Sequence, residues 1–265
     1  MNNINPDKPL ILVIAGHDPC GGAGIQADIE SIASQGGRAV TVITSLTAQN
    51  TTGVGNVVHQ KPDNFREQLD MVLDEMKISA CKIGLVADSS IIEIIRQTLS
   101  VKIPGIPIVE DPVITAGSGH VFIDQSVQDA LCSKLIPYAT VCTPNTIEAR
   151  TLANTNNLDK AAACLIESGA RSVLITGEHE EQEYVINTLY TKDKEPIRYK
   201  WDRLPGKYHG SGCTLSASIA AHLANGEDIE MAVHRAQVYT WNSLKYAGHP
   251  GRLQYHPDRF FWNPG

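Results

Sequence analysis

Short apolar runs alternate with helix-length segments along almost the whole chain, and this alternation restricts the fold more than any other feature. Strands are predicted over residues 10–15, 39–44, 81–84, 106–110, 139–142 and 172–176. Each run is bounded by Gly, Pro or polar residues. Hydrophobicity that is continuous rather than alternating marks strands covered on both faces. Helices are predicted over 23–35, 62–76, 89–99, 145–152, 158–168, 211–224 and 228–245. Gly36-Gly37 supplies a stop signal for the first of these. Pro62 opens the second, where Phe65, Leu69, Val72, Leu73 and Met76 fall at helical spacing. This order predicts an α/β protein: a three-layer α/β/α sandwich around a mainly parallel sheet. Residues 184–190 and 195–201 read as a hairpin added late to that sheet. With no Pro- or Ser-rich linker and no repeat, residues 1–265 are expected to form one domain.

In an open parallel sheet, ligands bind beyond the carboxyl ends of the strands. Five segments there carry the chemistry. Ile14–Asp28, IAGHDPCGGAGIQAD, follows the first strand, and its glycines allow a tight turn and close approach of a ligand. It matches neither GxGxxG nor GxxxxGK[ST], so neither a dinucleotide fingerprint nor a P-loop is present. As a plain strand–helix turn, it would leave Asp28 a solvated helical acid. Thr44–Gly53, TSLTAQNTTG, reads as a polar segment, either a ligand loop or a surface loop. Gln49 and Asn50 there can both donate and accept hydrogen bonds, which suits an aminopyrimidine or pyridine edge. Asp111 stands at a strand tip in EDPVITAGSG. In TPNTIE, Asn145 and Glu148 share a helix face, either as a cap or as oxygen ligands for Mg²⁺. HGSGCT opens a helix, so Gly210, Ser211, Gly212 and Cys213 present unpaired N–H groups to an anion, and the dipole there is expected to lower the Cys213 thiol pKa.

The six cysteines form no CxxC pair, and most are expected to be small buried hydrophobes; Cys20 and Cys213 alone lie in Gly-rich contexts that could present a thiol to a ligand. With 22 Lys and Arg against 29 Asp and Glu, the net charge of −7 disfavours nucleic acid. The apolar run Leu10–Ala15 is far short of the ~18 residues of a membrane span. The first nine residues hold no apolar run, so a chain without a secretory leader, located in the cytoplasm, is expected. The acidic run 178–183 reads as a solvated turn.

Taken together, AGHDPCGGAGIQAD, TSLTAQNTTGV, CKIGL, EDPV, TPNTIEA and GSGCTLSASIAAHLANG resemble, in order, the hydroxymethylpyrimidine and phosphomethylpyrimidine kinases of thiamine biosynthesis, within the ribokinase-like superfamily. The resemblance runs from about Leu10 to about Lys245. It implies a ribokinase-like fold and two successive phosphorylations by ATP with Mg²⁺. The first acts on the hydroxymethyl group of 4-amino-5-hydroxymethyl-2-methylpyrimidine, the second on its monophosphate. It implies that Asp28, Gln49, Gly24 and Leu85 hold the pyrimidine, and that Asp111, Asn145, Glu148 and Thr176 serve ATP, with Asn145 and Glu148 organising the metal. Gly210 to Cys213 would form the anion hole, with the Cys213 thiolate as proton acceptor in the first step. It further implies small-molecule partners, no nucleic acid or membrane, and a homodimer or higher homo-oligomer. The chain departs from the family pattern at three points. Thr176-Gly177-Glu178 stands where many members have Lys-Gly-Gly, His17 replaces a common Ser, and Thr115-Ala116-Gly117-Ser118 lacks a frequent lysine. Two alternatives stand beside this reading: a pyridoxal kinase, and a non-catalytic pyrimidine-binding regulatory module.

Overall fold

The computed structural model describes residues 8–117 and 119–263; most of the N-terminal stretch read for a leader, and Ser118, lie outside them. Six parallel strands form the centre of one sheet: β1 (Leu10–His17), β2 (Arg38–Asn50), β4 (Ala80–Ile83), β5 (Ile108–Glu110), β6 (Val141–Cys142) and β7 (Ser172–Ile175). Antiparallel strands extend both edges: β3 (Gly53–His59) on one side, and the hairpin β8 (Tyr184–Thr191) and β9 (Ile197–Asp202) on the other. The order is β3-β2-β1-β4-β5-β6-β7-β8-β9. Successive βα units therefore run in opposite directions from β1, and a crevice opens beyond the carboxyl ends of β1 and β4.

Helices cover both faces. On one lie α1 (Gly24–Ser34), α7 (Ser211–Ala224) and α8 (Ile229–Lys245), whose Ile25, Ile32, Ile219 and Val233 pack against Ile11, Val13 and Val109. On the other lie α2 (Pro62–Glu75), α3 (Ser89–Val101), α4 (Gln125–Lys134), α5 (Thr146–Leu152) and α6 (Leu158–Glu167). There Phe65, Leu69, Ile92 and Ile95 meet Leu12, Ile14 and Ile83. The expected three-layer sandwich is thus present.

Two elements were not expected. Thr44–Gly53 is not a loop: β2 runs on through Asn50, turns at Thr51-Thr52 and returns as β3. Helix α4 occupies 125–134, where only Val127, Ala130 and Leu131 are buried. Of the cysteines, Cys81 and Cys142 are buried as expected, but Cys164 is exposed on α6. No helix among the described residues is long and apolar enough to cross a membrane.

Candidate active site

A cavity of about 780 Å³ occupies the crevice. Gly24, Gln49 and Leu85 line one end, and Asn187, Trp201, Gln237 and Trp241 the other, with Asp111, Gly212 and Cys213 between them. Asn145, Glu148, Thr176, Gly210 and Ser211 also line it, so of the site residues expected from the sequence Asp28 and Asn50 are the ones that do not, Asn50 turning its amide oxygen to Thr52.

Asp28 is neither a solvated acid nor part of the cavity wall. It is fully buried, with its two carboxylate oxygens 3.0 and 3.1 Å from Lys82 Nζ. Lys82 is fully buried too, and its Nζ lies 3.8 Å from Asp111 Oδ2. Burial opposes charge on Lys82, yet Asp28, with Asp111 behind it, holds its pKa above the usual lysine value, so it stays protonated. Asp111 also accepts a hydrogen bond from Ser216 Oγ at 3.0 Å, which ties the tip of β5 to α7. Its carboxyl is pushed up, chiefly by burial, against the pull of Lys82 and Ser216.

The anion loop is built by the entry into α7. Gly210 caps the helix with φ +80°, a left-handed conformation that favours glycine. The N–H groups of Ser211, Gly212 and Cys213 follow as the first of the helix, where no intrahelical carbonyl faces them. Gly24, with φ +60°, begins α1 against the carbonyl of Gly16. Its N–H lies within reach of the Cys213 sulfur, which brings the two glycine loops together. The expected lowering of the Cys213 thiol is reversed here. Burial drives the Cys213 thiol up to about 12, and Asp28 and Asp111 add to this, outweighing Lys82 and the Gly24 N–H.

Asn145 and Glu148 form a full capping box at the start of α5. Asn145 Oδ1 accepts from the N–H of Ile147 and Glu148, both at 2.9 Å, and Glu148 Oε2 accepts from Asn145 N at 2.9 Å. Glu148 Oε1 accepts from Ile114 N at 3.3 Å, joining this helix to the segment after β5. Burial, then the nearby Asp111, raises the Glu148 carboxyl to about 8. The acidic run is mostly exposed, as a solvated turn should be, and it is braced by Arg203. Arg203 donates to the carbonyls of Glu178, Glu180 and Gln182, and Glu178 enters the cavity wall, 3.3 Å from Ser211 Oγ.

Several contributors carry no motif signal. Arg259, only 2% exposed, donates to Thr214 Oγ1 at 3.0 Å, Gly21 O at 3.3 Å, Glu30 at 2.9 Å and the carbonyl of Gly22. It thereby fastens the glycine loop after β1 to the start of α7. Asn187 and Trp201 both donate to Gln237 Oε1, at 2.9 and 3.0 Å, and Trp201 stacks near Trp241. These residues make a flat, amide-rimmed wall at the far end of the cavity.

Residues 18–257 match the family model described as phosphomethylpyrimidine kinase. A hydroxymethylpyrimidine/phosphomethylpyrimidine kinase from Staphylococcus aureus (strain MRSA252) is 37% identical, over 92% of this chain and 91% of its own length. The chain spans 47% of the length of a thiamine biosynthetic bifunctional enzyme of Arabidopsis thaliana, at 36% identity over 90% of this chain. It spans 33% of a multifunctional thiamine biosynthesis protein of Corynebacterium glutamicum, at 35% identity over 92% of this chain. Among solved structures, the pyridoxal kinase from Staphylococcus aureus in complex with pyridoxal superposes with a TM-score of 0.89 and 26% identity, covering 97% of this chain and 95% of that one. The phosphomethylpyrimidine kinase from Clostridium difficile 630 superposes with a TM-score of 0.78 and 32% identity, covering 89% and 100%. The match over residues 18–257, with the Staphylococcus aureus kinase 37% identical over nearly the full length of both chains, places this chain in the phosphomethylpyrimidine kinase family.

Proposed function

We propose that this chain is an ATP-dependent kinase. It phosphorylates the hydroxymethyl group of 4-amino-5-hydroxymethyl-2-methylpyrimidine and then extends the monophosphate to the pyrophosphate. The observation that carries the reading is one continuous cavity. It runs from the hydrogen-bonding Gln49 and the close-approach glycine Gly24, past the α7 N-terminus, to the wall of Asn187, Trp201 and Gln237. The first end suits a small aminopyrimidine, the last a nucleobase, and the anion loop lies between them.

Phosphoryl transfer through a loose transition state needs positioning and charge stabilisation more than a strong base. The backbone N–H groups of residues 210–213 supply that stabilisation, each preorganised donor contributing about 2.7–4 kcal/mol. Asp28 acts at one remove: it holds Lys82 charged beneath Asp111 and Cys213. Only the first step removes a proton from an alcohol, because the second nucleophile is an ionised phosphate oxygen. The proton-accepting role of Cys213 is therefore confined to the first step, and it requires the thiolate that burial disfavours. In single-turnover assays Cys213→Ala slows the first phosphorylation far more than the second; equal losses in both would remove the base role.

Asp111, Asn145 and Glu148 fit Mg²⁺. They offer only oxygen donors, and Glu148 and Asp111 are two buried carboxyls whose mutual repulsion a dication would relieve. Such an ion would neutralise phosphate charge where the chain has Thr176 and Glu178 and no lysine. On the family resemblance, the protein would work as a single domain in the cytoplasm, as a homodimer or higher homo-oligomer. Mass spectrometry of products from the pyrimidine alcohol with Mg-ATP tests the assignment. Two added phosphoryl groups are expected. No addition, or turnover with pyridoxal in preference to the pyrimidine, would overturn it.

A further inference from the structure

Three side chains with metal-ligating atoms meet where the loop after β1 touches the loop before α7. Asp18, Cys20 and His209 each offer one ligand atom, and these atoms all lie within 4.8 Å of one another. Cys20 Sγ is 2.9 Å from Asp18 Oδ1, and His209 Nε2 is 2.9 Å from Asp18 Oδ2. An ionised carboxylate only accepts, so the thiol and the imidazole both donate to it.

We propose that Asp18, Cys20 and His209 form a zinc site, with three protein ligands and a fourth position open to the cavity. The donor set is thiolate, imidazole and carboxylate. A hard ion such as Mg²⁺ or Ca²⁺ prefers oxygen alone, whereas this mixture selects Zn²⁺. With bonds of about 2.0–2.3 Å at tetrahedral angles, zinc spaces its ligands roughly 3.4–3.6 Å apart. The present separations, from 2.9 Å up to at most 4.8 Å, bracket that spacing. Binding needs only side-chain adjustments.

The two protons that point at Asp18 are the ones zinc would replace. Cys20 releases its thiol proton to solvent, and the single proton of the neutral His209 imidazole passes through solvent from Nε2 to Nδ1, freeing the Nε2 lone pair for the metal. Asp18 retains the hydrogen bonds it accepts from Cys20 N at 3.0 Å and Ala23 N at 2.8 Å, which fix the carboxylate as partners of a metal ligand do. Asp18 and His209 both line the cavity, and this gives the ion its entry path and its open coordination position. His256 packs beside His209, with its Nε2 buried and without a partner, but lies outside the cluster. The site is separate from the oxygen donors at the tips of β5 and β6. Its ion would cross-link the loop that carries Gly21, Gly22 and Gly24 to the one that carries Gly210 to Cys213.

The test is metal titration of the full, chelator-stripped chain, first with Co²⁺ and then with Zn²⁺. One equivalent of Co²⁺ should give tetrahedral ligand-field bands and a thiolate-to-cobalt charge-transfer band, and one equivalent of Zn²⁺ should abolish both. Cys20→Ser keeps a hydroxyl that can donate to Asp18, and circular dichroism checks its fold; it should lose the charge-transfer band. His209→Gln should weaken binding by more than about tenfold, while Cys213→Ser should keep the full band. The proposal is overturned if stoichiometric Co²⁺ gives no charge-transfer band, which would leave the cluster as a hydrogen-bonded brace. It is equally overturned if the band survives Cys20→Ser or disappears with Cys213→Ser.

Discussion

Asp28→Asn tests whether this acid supports the site from beneath or touches the substrate. The substitution keeps the shape of the side chain but leaves the Lys82 ammonium in a fully buried position with no charged partner at 3.0 Å. Breaking a buried ion pair from one side costs about 3–5 kcal/mol, because the remaining charge stays desolvated. Asp111, 3.8 Å from the same ammonium, retains part of the attraction and puts the expected loss at the low end of that range. For a protein of this size each kcal/mol lowers Tm by roughly 2–4 °C, so the ligand-free variant should unfold about 6–12 °C lower. Adding Lys82→Met removes the stranded charge, and the double variant should recover at least half of the loss. The assay is thermal unfolding followed by circular dichroism, alongside KM for the pyrimidine alcohol. A variant whose Tm stays within about 2 °C of the parent while KM rises tenfold would refute the buried-pair argument and return Asp28 to the substrate.

Glu148 predicts a pH dependence. The folded protein holds its proton up to about pH 8, whereas the unfolded chain releases it near the ordinary value of 4.5, so stability falls as pH rises from about 4.5 to about 8 and then levels. Urea unfolding across that window should show the slope, and Glu148→Gln should flatten it. Arg259→Lys keeps the charge but loses the planar fork; leaving buried carbonyls unpaired should cost roughly 2–3 kcal/mol by denaturant titration. Gly210→Ala places a methyl group against the carbonyl of Gly22 and distorts the anion loop. It should lower kcat about 100-fold or more, while pyrimidine binding measured by calorimetry changes less than threefold.

The central strands were legible because burial on both faces imposes continuous hydrophobicity. β3 escaped for the opposite reason: Gly53–His59 is an edge strand with exposed Asn56 and Val58, and pairing with β2 rather than burial makes it a strand. α4 escaped because its apolar face is short. The glycine loops and the Asn145–Glu148 cap were readable because a turn or cap is dictated by residues a few positions apart. Lys82 was not, since its partner Asp28 lies 54 positions away, and they meet only because α1 packs on β1 and the sheet sets β4 beside β1. Cys213 shows the same limit. The dipole that favours its thiolate is visible in the local sequence, but the burial that overrules it comes from α1 and the tips of β4 and β5.

The Arg259 contacts bear on how the protein is made in the cell. They join residues 237 and 238 positions apart in the chain. During translation, the glycine loop after β1 emerges early and stays unfastened until the ribosome has released a segment made more than 200 residues later. The core strands can pair as they appear, but the site cannot take its final shape until that arginine arrives. Interrupted synthesis before residue 259 would then leave a chain with much of its sheet and no working site. Such nascent chains should resist proteolysis across the central strands yet be cut in the loop around Gly21 and Gly22.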